Sequence, residues 1–283
     1  MTEPTLRALA LDELPLLIDW AAGEGWNPGL DDAPAFHAAD PGGFLGLFLG
    51  NEMAAAISAV AYGPGFGFIG LYICRPDLRG KGLGRQVWDA GMARLGERCI
   101  GLDGVPAQED NYRRMGFAVA YRTLRFSGHA PQATPPAGTR IVPADPGGAG
   151  LAAYDAAIFP APREAFLSAW ISSPRIARMA LRDGRVVGYG TARKCLQGWK
   201  VGPLFADTLA DGTALLAALG AATGGEELHL DVPDTGHGFG TWLEQAGFTQ
   251  GFATARMYRN GLPGGDPSRV LARVLATTTL ELG

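Results

Sequence analysis

Hydrophobic and polar positions alternate in two recognisable periods along the first half of the chain. A short strand is expected at 6–9. Leu14, Leu17, Ile18 and Ala21 then recur at helical spacing, with Asp12 placed to cap the helix. After the turn-rich stretch GEGWNPGLDD come three strands, at 44–49, 53–62 and 66–74. The first two are joined as a hairpin by Gly50-Asn51-Glu52. Leu83, Val87, Trp88, Met92 and Leu95 give one apolar face to a helix over 83–95. A strand at 99–102, a helix over 111–115 and a strand at 119–126 complete the unit.

The same order returns about 130 residues later. LRDGRVVGYGTARK reads as a turn-linked strand pair, and GWKVGPLFAD with TLADGTALLAALG takes the place of strand, loop and helix. LHLDVP mirrors GLDGVP, and LEQAGF mirrors YRRMGF. Between the copies lies a stretch of Pro, Gly and small residues without apolar periodicity. The chain therefore divides into a unit at 1–127, a linker at 128–138, a second unit at 139–262 and a tail at 263–283. Val270, Leu271, Val274 and Leu275 suit that tail to a docking helix or an exchanged terminal segment.

Composition narrows the function classes. A chain of 283 residues, 47% hydrophobic and 18% charged, suits two globular domains. A net charge of −4 recommends no nucleic-acid partner. The most apolar runs are strand-sized, short of the roughly 20 residues a spanning helix needs. The opening MTEPTLRALALDELP lacks a leader pattern, so a cytoplasmic protein away from membranes is expected. Cys74, Cys99 and Cys195 form no CxxC pair and the four histidines are scattered, so no metal site is expected.

The central chemical signal is Arg79-Gly80-Lys81-Gly82-Leu83-Gly84, which follows a strand and opens a helix. A pyrophosphate needs several backbone N–H donors converging on one point, and a helix N-terminus supplies them with a favourable dipole. Glycine lets that backbone come close and adopt positive φ. Lys followed by Ser or Thr is missing, which excludes a Walker A loop. Three strands precede the loop, which is the wrong setting for a dinucleotide fingerprint.

Loop and setting together resemble the GCN5-related N-acetyltransferase superfamily. Its Arg/Gln-x-x-Gly-x-Gly/Ala stretch is matched at every defined position, Pro76 precedes it, and Tyr112-Arg113-Arg114-Met115-Gly116-Phe117 is similar to its Tyr-x-x-x-Gly-Phe signature. The resemblance spans residues 1–126, and the second half resembles the same fold with its loop worn away. It implies an α/β protein of two tandem domains, each a mixed, mostly antiparallel central sheet flanked by helices.

The resemblance also implies roles. Arg79, Gly80, Lys81, Gly82, Leu83, Gly84 and Arg85, with Asn111, would hold the phosphates and arm of acetyl-CoA, and the backbone of Leu71, Tyr72 and Ile73 its pantetheine. Tyr112 matches the tyrosine that serves as general acid; Leu243 stands at its place in the second copy. The strand before the loop offers no carboxylate as base, which leaves Asp103, with Glu109 and Asp110 as further candidates. Glu24, Trp26 and Asn27, near Asp31 and Asp32, would line the acceptor cleft. The second copy keeps one glycine, and Asp211 would face the phosphates, so one acetyl-CoA per chain is expected. The acceptor would be a small-molecule, amino-terminal or lysyl amine, and the second domain would complete the cleft or support a homodimer. The alternative is a non-catalytic acetyl-CoA-binding sensor.

Overall fold

A computed structural model describes residues 3–145, 149–264 and 270–283. The first half runs β1 (Pro4–Ala8), α1 (Leu14–Gly23), α2 (Asp32–Ala39), β2 (Phe44–Leu49), β3 (Glu52–Tyr62), β4 (Phe66–Cys74), α3 (Leu83–Leu95), β5 (Cys99–Gly104), α4 (Glu109–Arg114) and β6 (Ala118–Gly128). The second runs β7 (Thr139–Pro143), α5 (Ala149–Ala156), α6 (Glu164–Trp170), β8 (Ile176–Arg182), β9 (Arg185–Lys194), β10 (Trp199–Ala206), α7 (Leu209–Ala222), β11 (Leu228–Asp234), α8 (Phe239–Gln245) and β12 (Thr249–Arg259). A last strand, β13 (Val274–Ala276), follows. The strands at 44–49 and 66–74 and the helix at 83–95 lie where periodicity puts them. Helix α2 has no counterpart in the periodic reading.

The two halves do not keep separate sheets. One continuous sheet runs β1-β2-β3-β4-β5-β12-β6-β11-β10-β9-β8-β7. The last long strand of each half has changed places: β12 pairs with β5 of the first half, and β6 with β11 of the second. Pairing is antiparallel throughout except β4 with β5 and β10 with β11, the equivalent pairs of the two halves.

The exchange is locked by two matching ion pairs. Arg256 on β12 stands opposite Asp103 on β5 and donates to both its oxygens, at 3.0 and 2.7 Å. Arg125 on β6 stands opposite Asp231 on β11 and does the same, at 2.8 and 2.9 Å. All four residues are buried or nearly so. A one-residue slip would turn these side chains to opposite faces and strand both charges, so the pairs hold the register.

The cores cross the halves as well. On one face, Leu83, Val87, Trp88 and Leu95 of α3 pack on β3 to β5 and on Ala255 and Met257 of β12. In the second half, Leu215, Leu216 and Leu219 of α7 pack with Phe239 and Leu243 of α8 and with Phe126 of β6. On the other side of the sheet, Phe36 of α2 stacks on Phe44 and on Trp170 of α6. Each fully buried apolar side chain of this size contributes about 1.5–3 kcal/mol. Removing an exchanged strand would therefore open a core that belongs to the other half.

Candidate active site

Strands β4 and β5 are hydrogen-bonded from Phe66 to Ile69 and then part. From Gly70 to Cys74 the edge of β4 that faces β5 is unpaired, because β4 bulges: Leu71 takes φ 45°, and pairing with β3 jumps from Ser58–Gly70 to Ala56–Ile73. A left-handed leucine costs of order 1–3 kcal/mol, which the paired strand on its other side must offset. The result is a V-shaped opening whose backbone groups at 71–73 have no strand partner on that side among the described residues, facing a cleft of about 390 Å³.

The glycine loop sits at the open end of β4. Gly80 and Gly82 both have φ 78°, and a Cβ on either would meet nothing; conformation, not space, demands glycine there. Gly84 differs, since a Cβ would lie 3.0 Å from the Tyr72 hydroxyl. The first helical bond of α3 runs from Gln86 N to Gly82 O, so the amides before it have no carbonyl partner in the helix. Leu83 is buried beneath them. Arg79 is half exposed at the rim of the cleft, its Nε donating to the Cys74 carbonyl and its Nη2 to Glu24. Lys81 is exposed, and the exposed Arg85 pairs with Asp89 one turn on.

Tyr112 of α4 lines the cleft, its ring 5.6 Å from that of Trp88, which in turn lies 5.4 Å from Tyr72. Neither tyrosine hydroxyl has a hydrogen-bond partner among the described residues. Burial, with the neighbouring Tyr72, pushes the Tyr112 hydroxyl up to about 12, and burial also raises Tyr72. Tyr112 is therefore a neutral O–H donor at every working pH. Asn111, on the same helix, bonds to Gln108 and Arg114 and does not line the cleft; Gln108 does.

Glu24, Trp26 and Asp103 line the same cleft. Both oxygens of Asp103 are taken by Arg256, and burial raises its carboxyl above the usual range. Glu109 is held by Arg113 and Arg122, which lower it. Asn27 points away from the cleft: its amide bonds in both directions to the backbone of Gln197 in the second half. The Trp26 carbonyl accepts from Arg125 of β6 and from the buried Lys200 of β10, so the loop at 24–32 is anchored by both halves.

The corresponding opening in the second half is closed by the chain itself. Strand β13 pairs with β10 through Leu204–Ala276 and Phe205–Val274, and Thr277 N donates to Asp231 O on β11. Leu275 lies over Gly212 so closely that a Cβ there would overlap it. Asp211 does not face outward as expected. It is fully buried, bonded to Thr208, Thr139 and Arg182, and its amide is capped by Thr208. Leu243, at the place of Tyr112, is core. On β11, His229 bonds Ser127 and the Gln197 carbonyl, and Asp231 is the partner of Arg125.

After filling that groove the segment continues into the first half. The Glu281 carbonyl accepts from Ser58, the Leu282 carbonyl from Tyr62, and Leu280 and Glu281 line the cleft with Phe252 and Thr254 of β12. None of these four stands near a motif in sequence. The only local trace is Gly70, where a Cβ would overlap the Glu281 carbonyl.

Comparison with known proteins agrees with this geometry. Residues 7–118 match the acetyltransferase (GNAT) family and residues 151–269 an acetyltransferase (GNAT) domain. The chain is 32% identical to the holothin acyltransferase of Pseudoalteromonas sp. (strain SANK 73390) over 282 residues, 99% of this chain and 94% of that protein. Among solved structures, a putative acetyltransferase from Pyrococcus horikoshii superposes with a TM-score of 0.80, at 18% identity over 100% of this chain and 97% of that one. A tandem GNAT protein from the clavulanic acid biosynthesis pathway gives 0.60, at 14% identity over 93% and 100%. With an intact loop and strand opening in one half and the same fold repeated in the other, the chain belongs to the GNAT acyltransferase family, as a tandem-domain member.

Proposed function

We propose that the protein transfers an acetyl group from acetyl-CoA to the amine of a small molecule, using one CoA site per chain, in the first half. The observation that carries this is the unpaired edge of β4 ending in a glycine loop whose amides open α3 without carbonyl partners in the helix. An extended amide-bearing arm and a pyrophosphate are the chemistry such an edge and loop fit. The backbone at Leu71, Tyr72 and Ile73 would hold the arm, and the amides from Gly80 to Arg85, with Lys81, the phosphates. The bound thioester supplies the carbonyl that an amine attacks.

The protein's own contributions follow from its residues. Fixing both reactants in one cleft removes several kcal/mol of barrier. Tyr112, protonated throughout the working range, donates to the departing sulfur. Glu24 and Trp26, with Phe252, form the acceptor end. The small cleft, walled by β12 and the segment at 280–281, favours a small amine over a protein chain. The relative at 32% identity is, by its name, an acyltransferase of holothin. Filling of the second opening by β13 supports a single site.

Calorimetry with CoA and a thiol-release screen over small amines test the proposal. A stoichiometry of one and release dependent on an amine are expected. Binding without release would leave a CoA sensor, and two sites per chain would overturn the assignment to one half.

A further inference from the structure

Three carboxylates line the cleft, and they differ in what holds them. Glu24 is paired with Arg79, and Asp103 is bridged on both oxygens by Arg256. Glu281 receives one hydrogen bond, from Thr279 to Oε2, and its nearest cation, Arg193 Nη2, stands 4.0 Å from that same oxygen. Oε1 has no partner among the described residues.

We propose that Glu281 is the base of the acyl transfer, taking the proton that the acceptor amine sheds. The proposal rests on the acyltransferase reading of the same site. The position is built, not incidental. Gly70, the first residue of β4 beyond its pairing with β5, lacks the Cβ that would block the Glu281 carbonyl. Ser58 Oγ, on the neighbouring strand, donates to that carbonyl at 3.2 Å. The segment is thus pinned where the strands part, on the wall of the cleft that Tyr112 also lines. Thr254 adds an independent sign: it is 2% exposed, lines the cleft, and its hydroxyl has no partner among the described residues. A buried polar atom left so is satisfied when a polar ligand arrives.

The charge state suits the role. Burial alone would raise the carboxyl, but Lys200 on β10, Arg193 on β9 and the Thr279 hydroxyl outweigh it, so the carboxyl sits below its ordinary range. Asp231 on β11 opposes them, and Arg125 on β6 and Asp103 on β5 also interact with the group. Glu281 is therefore ionised at neutral pH and free to accept. In the step, the amine nitrogen bonds to the thioester carbonyl carbon and the carbon–sulfur bond breaks, its electron pair leaving on sulfur. The nitrogen's proton passes to Oε1 of Glu281, and sulfur takes a proton from Tyr112. Glu281 then releases its proton to solvent, and Tyr112 recovers one from the same source.

Glu281→Gln tests this in the full chain, with acetyl-CoA and a panel of small primary amines, and with water as the acceptor in slow hydrolysis. A fall in kcat of about 10²- to 10³-fold is expected, with CoA affinity within about twofold of wild type. An unchanged kcat overturns the proposal and leaves the acyltransferase reading standing. Should the Gln variant fail to hold CoA, Glu281→Asp decides, because it keeps the charge and shortens the reach: a lower kcat upholds the role and a wild-type kcat overturns it. A wild-type chain that binds CoA yet releases thiol with neither amine nor water overturns both readings.

Discussion

Single residues set the donor end of the cleft through backbone conformation more than through charge. Gly82 has φ 78° at the first residue outside α3. Gly82→Val forces a β-branched side chain into that conformation at a cost of about 1–2 kcal/mol or a displaced loop. CoA affinity should fall by about tenfold or more, measured by calorimetry. Tyr112→Phe removes the hydroxyl but leaves the ring on Trp88, so kcat should drop about 10²-fold with CoA affinity unchanged. The pH profile gives a further check. A tyrosine whose ionisation is pushed up to about 12 keeps its proton as pH rises past the ordinary value near 10. Loss of activity through Tyr112 should therefore begin only near pH 11, and a limb centred at 10 that vanishes in Tyr112→Phe would contradict the burial described.

At the scale of elements, the exchanged strands carry the stability of both halves. Arg256→Met leaves Asp103 buried without its partner, which should cost about 3–5 kcal/mol in denaturant unfolding. The double change Arg256→Met with Asp103→Leu should recover much of that loss. What the chain revealed in advance divides along the same line. The loop, α3 and the Tyr112 helix were legible because their signals are local: glycines at fixed offsets, an apolar face every third or fourth residue. Helix α2 was hidden, since DAPAFHAA buries Asp32, Ala33, Ala35 and Phe36 without a clear apolar stripe. The exchange of β6 and β12 was illegible because a strand's alternation is the same beside either neighbour. Arg256 and Asp103 are 153 residues apart, and no spacing rule joins them. Glu281 was missed for the same reason, its contact with Ser58 spanning 223 residues.

For the whole molecule, shared strands imply shared fate. Neither half owns a complete sheet, and α3 packs on residues contributed by β12. Thermal unfolding should therefore show one transition, with calorimetric and van't Hoff enthalpies equal; two resolved transitions would mean the exchange contributes little. There is also a consequence for biosynthesis. Residues 249–259 complete the sheet beside β5, so a nascent chain that has already made α3 and the glycine loop still presents the bare edge of β5. A ribosome that stalls before that strand emerges releases a product with a whole loop and no usable cleft. Activity thus certifies that translation has passed β12.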